Sequence, residues 1–183
     1  MGPTMINGIP AHALFVHVVV ILVPLTALAL VSCAAWPRLT QRFGLALPAL
    51  AVVTLVSVPV TTHAGEWLKH HVPRDPLVRQ HAELGDGLLP WTVGLFALAV
   101  ALWWMQRRTG AAPLAGTGSP AAVAEGEQPG TRARGALKAA AVVVSLVLGA
   151  GAVVQTYRIG DSGARAAWHN NFSTTSTPET GGR

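Results

Sequence analysis

The chain has 183 residues, of which 51% are hydrophobic and 11% are charged, and its formal net charge at pH 7 is +5. Soluble domains carry about 25% charged residues, so this composition excludes an ordinary soluble domain and indicates a helical membrane protein. The basic residues flank apolar segments instead of alternating with aromatic residues, which argues against nucleic acid as a partner. Cys33 is the only cysteine, which excludes an internal disulfide and a thiolate metal cluster.

A short leader and a long apolar segment open the chain. Residues 1–8 are uncharged, and a first membrane span is predicted from about Ile9 to Trp36. Residues 9–35 contain no Asp, Glu, Lys or Arg, and at roughly 1.5 Å per residue they form enough helix to cross about 30 Å of hydrocarbon. Pro24 predicts a kink in this span, and Trp36 with Arg38 marks its interfacial end.

Three further apolar segments predict spans at about 45–68, 84–106 and 136–157. Spans one to three therefore occupy residues 9–108. Residues 109–135 are rich in Gly, Ala and Pro, which predicts a flexible loop, and residues 158–183 form a polar tail. The expected fold is an all-α integral membrane four-helix bundle.

The distribution of basic residues predicts the orientation of the bundle. The loops after spans one and three carry seven Lys and Arg against two acidic residues, whereas the opposite side carries six against six. Because basic residues favour the cytoplasmic side, both termini are expected outside the cytoplasm and the loop 109–135 inside it.

On this topology the histidines all lie at or beyond the outer half of the bilayer: His12, His17, His63, His70, His71, His81 and His169. An imidazole that faces lipid loses hydrogen bonds that hydrocarbon cannot replace. Imidazole is also the usual protein ligand for haem iron, zinc and copper, and it can relay protons. The pattern predicts a shared site between the first three spans.

Three interpretations of this site stay open. Haem b needs two opposed imidazoles from different helices, which His17 with His63 or His81 supplies. His12 lies about 7 Å from His17 along the helix and roughly 140° around it, so one of the two binds while the other supports the site from its rim. A zinc or copper site instead draws three or four ligands from His12, His17, His63, His81 and Glu66. In the third interpretation the histidines only satisfy helix ends and no cofactor is bound.

Several motifs resemble a known family. They are residues 10–17 followed by Pro24, the triplet 63–65, His81 at the start of span three, and residues 157–164 after span four. Together they resemble the bacterial predicted-membrane-protein family numbered twenty-two thirty-one among the domains of unknown function. This resemblance implies a four-helix integral membrane protein without an assigned biochemical role or catalytic residues. The family's first-helix histidine pair corresponds to His12 and His17, and a histidine often stands where this chain has Asp161.

The sequence thus predicts a small multi-pass protein of the bacterial inner membrane with a histidine-lined outer site, either haem-binding or redox-associated. The alternative is a non-catalytic accessory subunit of a membrane complex. The expected partners are the lipid bilayer and either a membrane redox complex or a second copy of the chain. No nucleophile elbow, phosphate loop or cysteine pair is present, so no catalytic residue is assigned.

Overall fold

The structure is a computed structural model that describes residues 5–6, 8–72, 74–110 and 129–169. Two short strands, β1 (Met5–Ile6) and β2 (Ile9–Pro10), pair in antiparallel fashion ahead of the first helix. The helices that follow are α1 (Ala11–Ala35), α2 (Pro37–Phe43), α3 (Ala46–Lys69), α4 (Pro76–Asp86), α5 (Leu89–Gly110) and α6 (Pro129–Trp168).

Four helical segments in the described part of the chain are long and apolar enough to cross a membrane: Ala11–Ala35, Ala46–Lys69, Pro76–Arg108 and Ala133–Trp168. The predicted all-α membrane bundle is therefore confirmed. The third segment combines α4 with most of α5, and a turn at residues 87–88 separates the two helices. The Asp75 carboxylate caps α4 by accepting a hydrogen bond of 2.7 Å from the backbone N–H of Leu77.

The fourth span extends beyond its predicted limits at both ends. The sequence predicts a flexible loop over 109–135 and a polar tail from 158, but residues 109–110, 129–135 and 158–168 are helical. The carboxyl-terminal extension is helical despite its polarity because it packs against α4, and an i,i+4 ion pair between Arg165 and Asp161 supports it. The rest of the predicted loop, 111–128, and residues 1–4 and 170–183 lie outside the described residues.

The bundle is built around α1, which packs against α3 and α6. Helices α4 and α5 each pack against the same two helices, α3 and α6. Small residues bring these helices close together. A Cβ at Gly149 would lie 3.2 Å from the Cβ of Ala27, and one at Gly94 would lie 3.0 Å from a methyl carbon of Leu148. A Cβ at Gly151 would overlap the Trp91 ring. Such contacts favour association of helices in lipid.

Polar groups inside the bundle bond to one another. The hydroxyls of Thr26 in α1 and Thr54 in α3, both fully buried, lie 2.7 Å apart, and Thr54 also donates to the Leu50 carbonyl at 2.9 Å. Among the described residues no buried side-chain nitrogen or oxygen lacks a hydrogen-bond partner. This internal pairing is required where no water is available to replace it.

Candidate functional site: a histidine pair between four helices

His12 is the second residue of α1, and its imidazole is half-buried against α3. Its Nδ1 lies 2.9 Å from the backbone carbonyl oxygen of Thr61. Because a carbonyl oxygen only accepts, Nδ1 carries the hydrogen and donates it. Gly65 stands one helical turn after Thr61, and a Cβ there would lie 2.9 Å from both Nδ1 and Cε1 of His12. The missing side chain at Gly65 is what lets the ring reach the carbonyl.

His81 in α4 is held against α6 in the same way. Its Nδ1 lies 3.1 Å from the carbonyl oxygen of Ile159 and 3.1 Å from the Ser162 hydroxyl, which itself donates to Ile159 at 2.9 Å. Gly163 stands one turn after Ile159, and a Cβ there would lie 3.0 Å from Cε1 of His81. Each histidine therefore uses a carbonyl and a glycine four residues apart on a neighbouring helix.

The two imidazoles meet edge to face at the end of the bundle where α1 begins and α3 ends. Their ring centroids are 6.0 Å apart and their planes are inclined by 80°. Donation by Nδ1–H places the lone pair of each neutral ring on Nε2. Neither Nε2 makes a hydrogen bond to any described residue. Metal-binding histidines commonly have this arrangement, with one nitrogen donating to a backbone carbonyl and the other left to bind the metal.

The separation of the rings matches that of two ligands on one metal ion. A metal–nitrogen distance of about 2.0–2.1 Å, with the ring centroid about 1.1 Å behind the nitrogen, places two opposed centroids at most about 6.4 Å apart. The observed 6.0 Å lies within this limit. The centroid separation therefore falls within the range for two imidazoles on one centre.

The other predicted ligands lie elsewhere. His17 is exposed, and its Nδ1 donates to the Ala13 carbonyl of its own helix at 2.7 Å. His63 is exposed, and Glu66 is exposed and pairs with Lys69 at 3.4 Å. Among the predicted ligands, His12 is the residue whose ring lies beside His81. In the described ranges, no group of three His, Cys, Asp or Glu side chains is placed to hold a metal ion.

The remaining histidines make local contacts at the same end of the molecule. His71 stacks on Trp67, with ring centroids 4.0 Å apart, and its Nδ1 donates to the Trp67 carbonyl at 2.7 Å. His169 lies 3.9 Å from an Asp75 carboxylate oxygen. His70 is exposed. These side chains do not join the His12–His81 pair.

Sequence reasoning missed the residues that position the pair: Thr61, Gly65, Ile159, Ser162 and Gly163. The available signal was the pair of glycines near the ends of two spans, where a missing side chain exposes a carbonyl one turn earlier. The same device recurs nearby, since the Gln155 amide donates to the Leu84 carbonyl at 2.7 Å and its nitrogen would lie 2.9 Å from a Cβ at Gly87. No rule of spacing connects such a glycine to a donor on another helix.

The fold and the site together define a multi-pass integral membrane protein in which two histidines join four helices near one membrane face. The chain belongs to the DUF2231 family of predicted membrane proteins, whose family model matches residues 8–176. The match includes both histidines and both glycines and confirms the expected family. No curated protein and no solved structure matches the chain.

Proposed function

We propose that the protein binds haem b through His12 and His81 and serves in electron transfer at the membrane. One observation carries the proposal: both rings donate Nδ1–H to a carbonyl of a neighbouring helix, the rings lie 6.0 Å apart, and neither Nε2 bonds to a residue that the structure describes. Anchoring through Nδ1 orients an imidazole ligand and increases its basicity.

The number of ligands favours haem over zinc or copper. A haem iron would take one or two ligands from the protein, because the porphyrin supplies four. Structural zinc sites take four protein ligands and catalytic zinc sites take three. The described residues supply two, His12 and His81, with no third candidate ligand beside them. If His12 and His81 both held the iron, no position would remain for oxygen, and the haem would supply electron transfer.

The proposed orientation places the histidine pair at the outer face of a bacterial inner membrane and both termini outside the cytoplasm. The excess of basic residues at the opposite end supports this orientation. A haem near the outer face would exchange electrons with a membrane redox complex or with a second copy of the chain.

The test is an absorption spectrum of the full-length protein, purified in detergent from haem-replete cells, in its oxidised and reduced states. We expect a Soret band that is lost in His12→Ala and in His81→Ala. The matched controls His17→Ala and His63→Ala change exposed imidazoles and should retain the band. A band that depends on His17 or His63 instead would refute the ligand assignment.

A second candidate is a non-catalytic accessory subunit. The observation that favours it is that the two Nδ1 bonds join α1 to α3 and α4 to α6 whether or not a cofactor is bound. A colourless, metal-free wild-type protein would support this candidate and overturn the haem proposal. Metal analysis of the same sample tests the third case, because stoichiometric zinc or copper that is lost in both histidine variants would replace haem with a metal ion.

A further inference from the structure

The end of the bundle opposite the histidine pair is strongly basic. We call it the cationic end, and it lies where α1 and α5 end and α3 and α6 begin. Its exposed cationic side chains are Arg38, Arg42, Arg107, Arg108, Arg134 and Lys138. The acidic residues that the structure describes all lie at the histidine end: Glu66, Asp75, Glu83, Asp86 and Asp161. Glu125 and Glu127 lie outside the described residues.

Two arginines at the histidine end pair with neighbouring acids. Arg79 lies 2.8 Å from Glu83, and Arg165 lies 2.7 Å from Asp161. At the cationic end, no carboxylate that the structure describes lies near enough to pair with an arginine. The difference between the two ends therefore leaves a field of positive charge at one membrane face.

Two of these arginines are held at the depth of the membrane interface. The Arg107 guanidinium carbon lies 4.5 Å from the centroid of the Trp103 ring, and that of Arg108 lies 5.1 Å from the centroid of Trp104. Each ring precedes its arginine by one helical turn, so both side chains fold back along α5 towards the membrane. Tryptophan rings concentrate at the level of the lipid headgroups. The stacked guanidinium groups are therefore expected at the depth of the lipid phosphates.

The short helix α2 adds two more arginines to this face. Thr40 is buried and donates to the Cys33 carbonyl at 2.8 Å, and Leu39 packs against the core. These contacts fix α2 across the end of the bundle with Arg38 and Arg42 exposed, one turn apart. A second pair of guanidinium groups is therefore displayed on a short helix that joins two spans.

We propose that the cationic end binds the phosphate groups of anionic phospholipids, with Arg107 and Arg108 as the principal contacts and Arg38 and Arg42 beside them. Guanidinium groups bind phosphate oxygens in a bidentate manner, which favours them over a point charge for this ligand. Lipid is the favoured source of the phosphate because the cation–π contacts hold two of the four groups back along α5. This inference does not depend on the haem proposal.

The test measures how spin-labelled phosphatidylglycerol and phosphatidylcholine associate with the full-length protein in phosphatidylcholine bilayers. Wild-type protein should prefer phosphatidylglycerol at low salt, and the preference should weaken at high salt. Each cation near a membrane surface contributes about fivefold at most, so Arg107→Gln/Arg108→Gln should lower the relative association constant at least about threefold. Arg38→Gln/Arg42→Gln should also lower it and serves as the independent second variant.

Matched controls separate a local site from total charge. Arg79→Gln/Arg165→Gln removes the same charge at the histidine end and should leave the preference unchanged. Trp103→Leu/Trp104→Leu keeps all arginines but releases the stacked pair, and should lower the preference about twofold or more. Equal association of both lipids with the wild type would overturn the proposal, as would an equal loss in the control at the histidine end.

Discussion

Replacing Gly65 with alanine tests how the His12 imidazole is held. The new Cβ would lie 2.9 Å from Nδ1 and Cε1 of His12, whereas ordinary contacts begin near 3.4 Å. The ring must therefore withdraw by roughly half an ångström, which lengthens its 2.9 Å bond to Thr61 beyond good hydrogen-bond geometry. Overpacking costs about 1–3 kcal/mol and the weakened bond about 0.5–1.5 kcal/mol, while alanine returns about 1 kcal/mol of helix propensity.

The expected net effect is a loss of about 0.5–3.5 kcal/mol in the free energy of unfolding. Equilibrium unfolding in mixed micelles measures it. Gly160→Ala is the matched control, because a Cβ at Gly160 meets nothing within 4 Å and should be neutral or stabilising. In a His12→Ala background the methyl group at position 65 has room, so the cost should disappear. A cost that persists without the His12 ring, or an equal cost at Gly160, would refute the reasoning.

Three further predictions concern packing, buried polarity and orientation. Gly151→Ala should destabilise the protein by about 2–4 kcal/mol in the same unfolding assay, because its Cβ would overlap the Trp91 ring; unchanged stability would contradict the close packing of α5 on α6. Thr26→Val should lower the free energy of unfolding by about 1 kcal/mol. A double-mutant cycle with Thr54→Val should show a coupling energy of about 0.5–1 kcal/mol. Strict additivity of the two substitutions would mean that the two hydroxyls do not interact. Topology reporters inserted after residue 120 should report the cytoplasm and reporters at either terminus the opposite side; a reversed result would invert the proposed orientation.

The membrane spans could be predicted from the sequence because hydropathy acts over about twenty residues and needs no knowledge of neighbours. The histidine pair could not. Helix α1 is apolar on all sides, so its pattern does not reveal which face meets the other helices. His12 and His17 differ by roughly 140° around that helix, and the sequence offered no way to choose between them.

For α3 and α6, too, the sequence does not reveal which residues meet the neighbouring helices. His63 is an imidazole on α3, yet it is exposed, whereas the Thr61 carbonyl two residues earlier accepts the bond from His12. The helical continuation of α6 to Trp168 depends on contact with α4, where Ile159 and Ser162 meet His81. Hydropathy cannot detect this because the segment is polar. Contacts between segments distant in the chain therefore determine both the choice of histidine and the length of α6.

The long separation between the partners in these bonds has a consequence for biogenesis. His12 bonds to a carbonyl 49 residues later in the chain, and His81 to one 78 residues later. Synthesis proceeds in chain order, so α1 and α4 are made before the helices that carry their acceptors, α3 and α6. A chain that stops before Ile159 leaves the His81 N–H without its carbonyl acceptor, so α4 gains this anchor only when the last helix is complete.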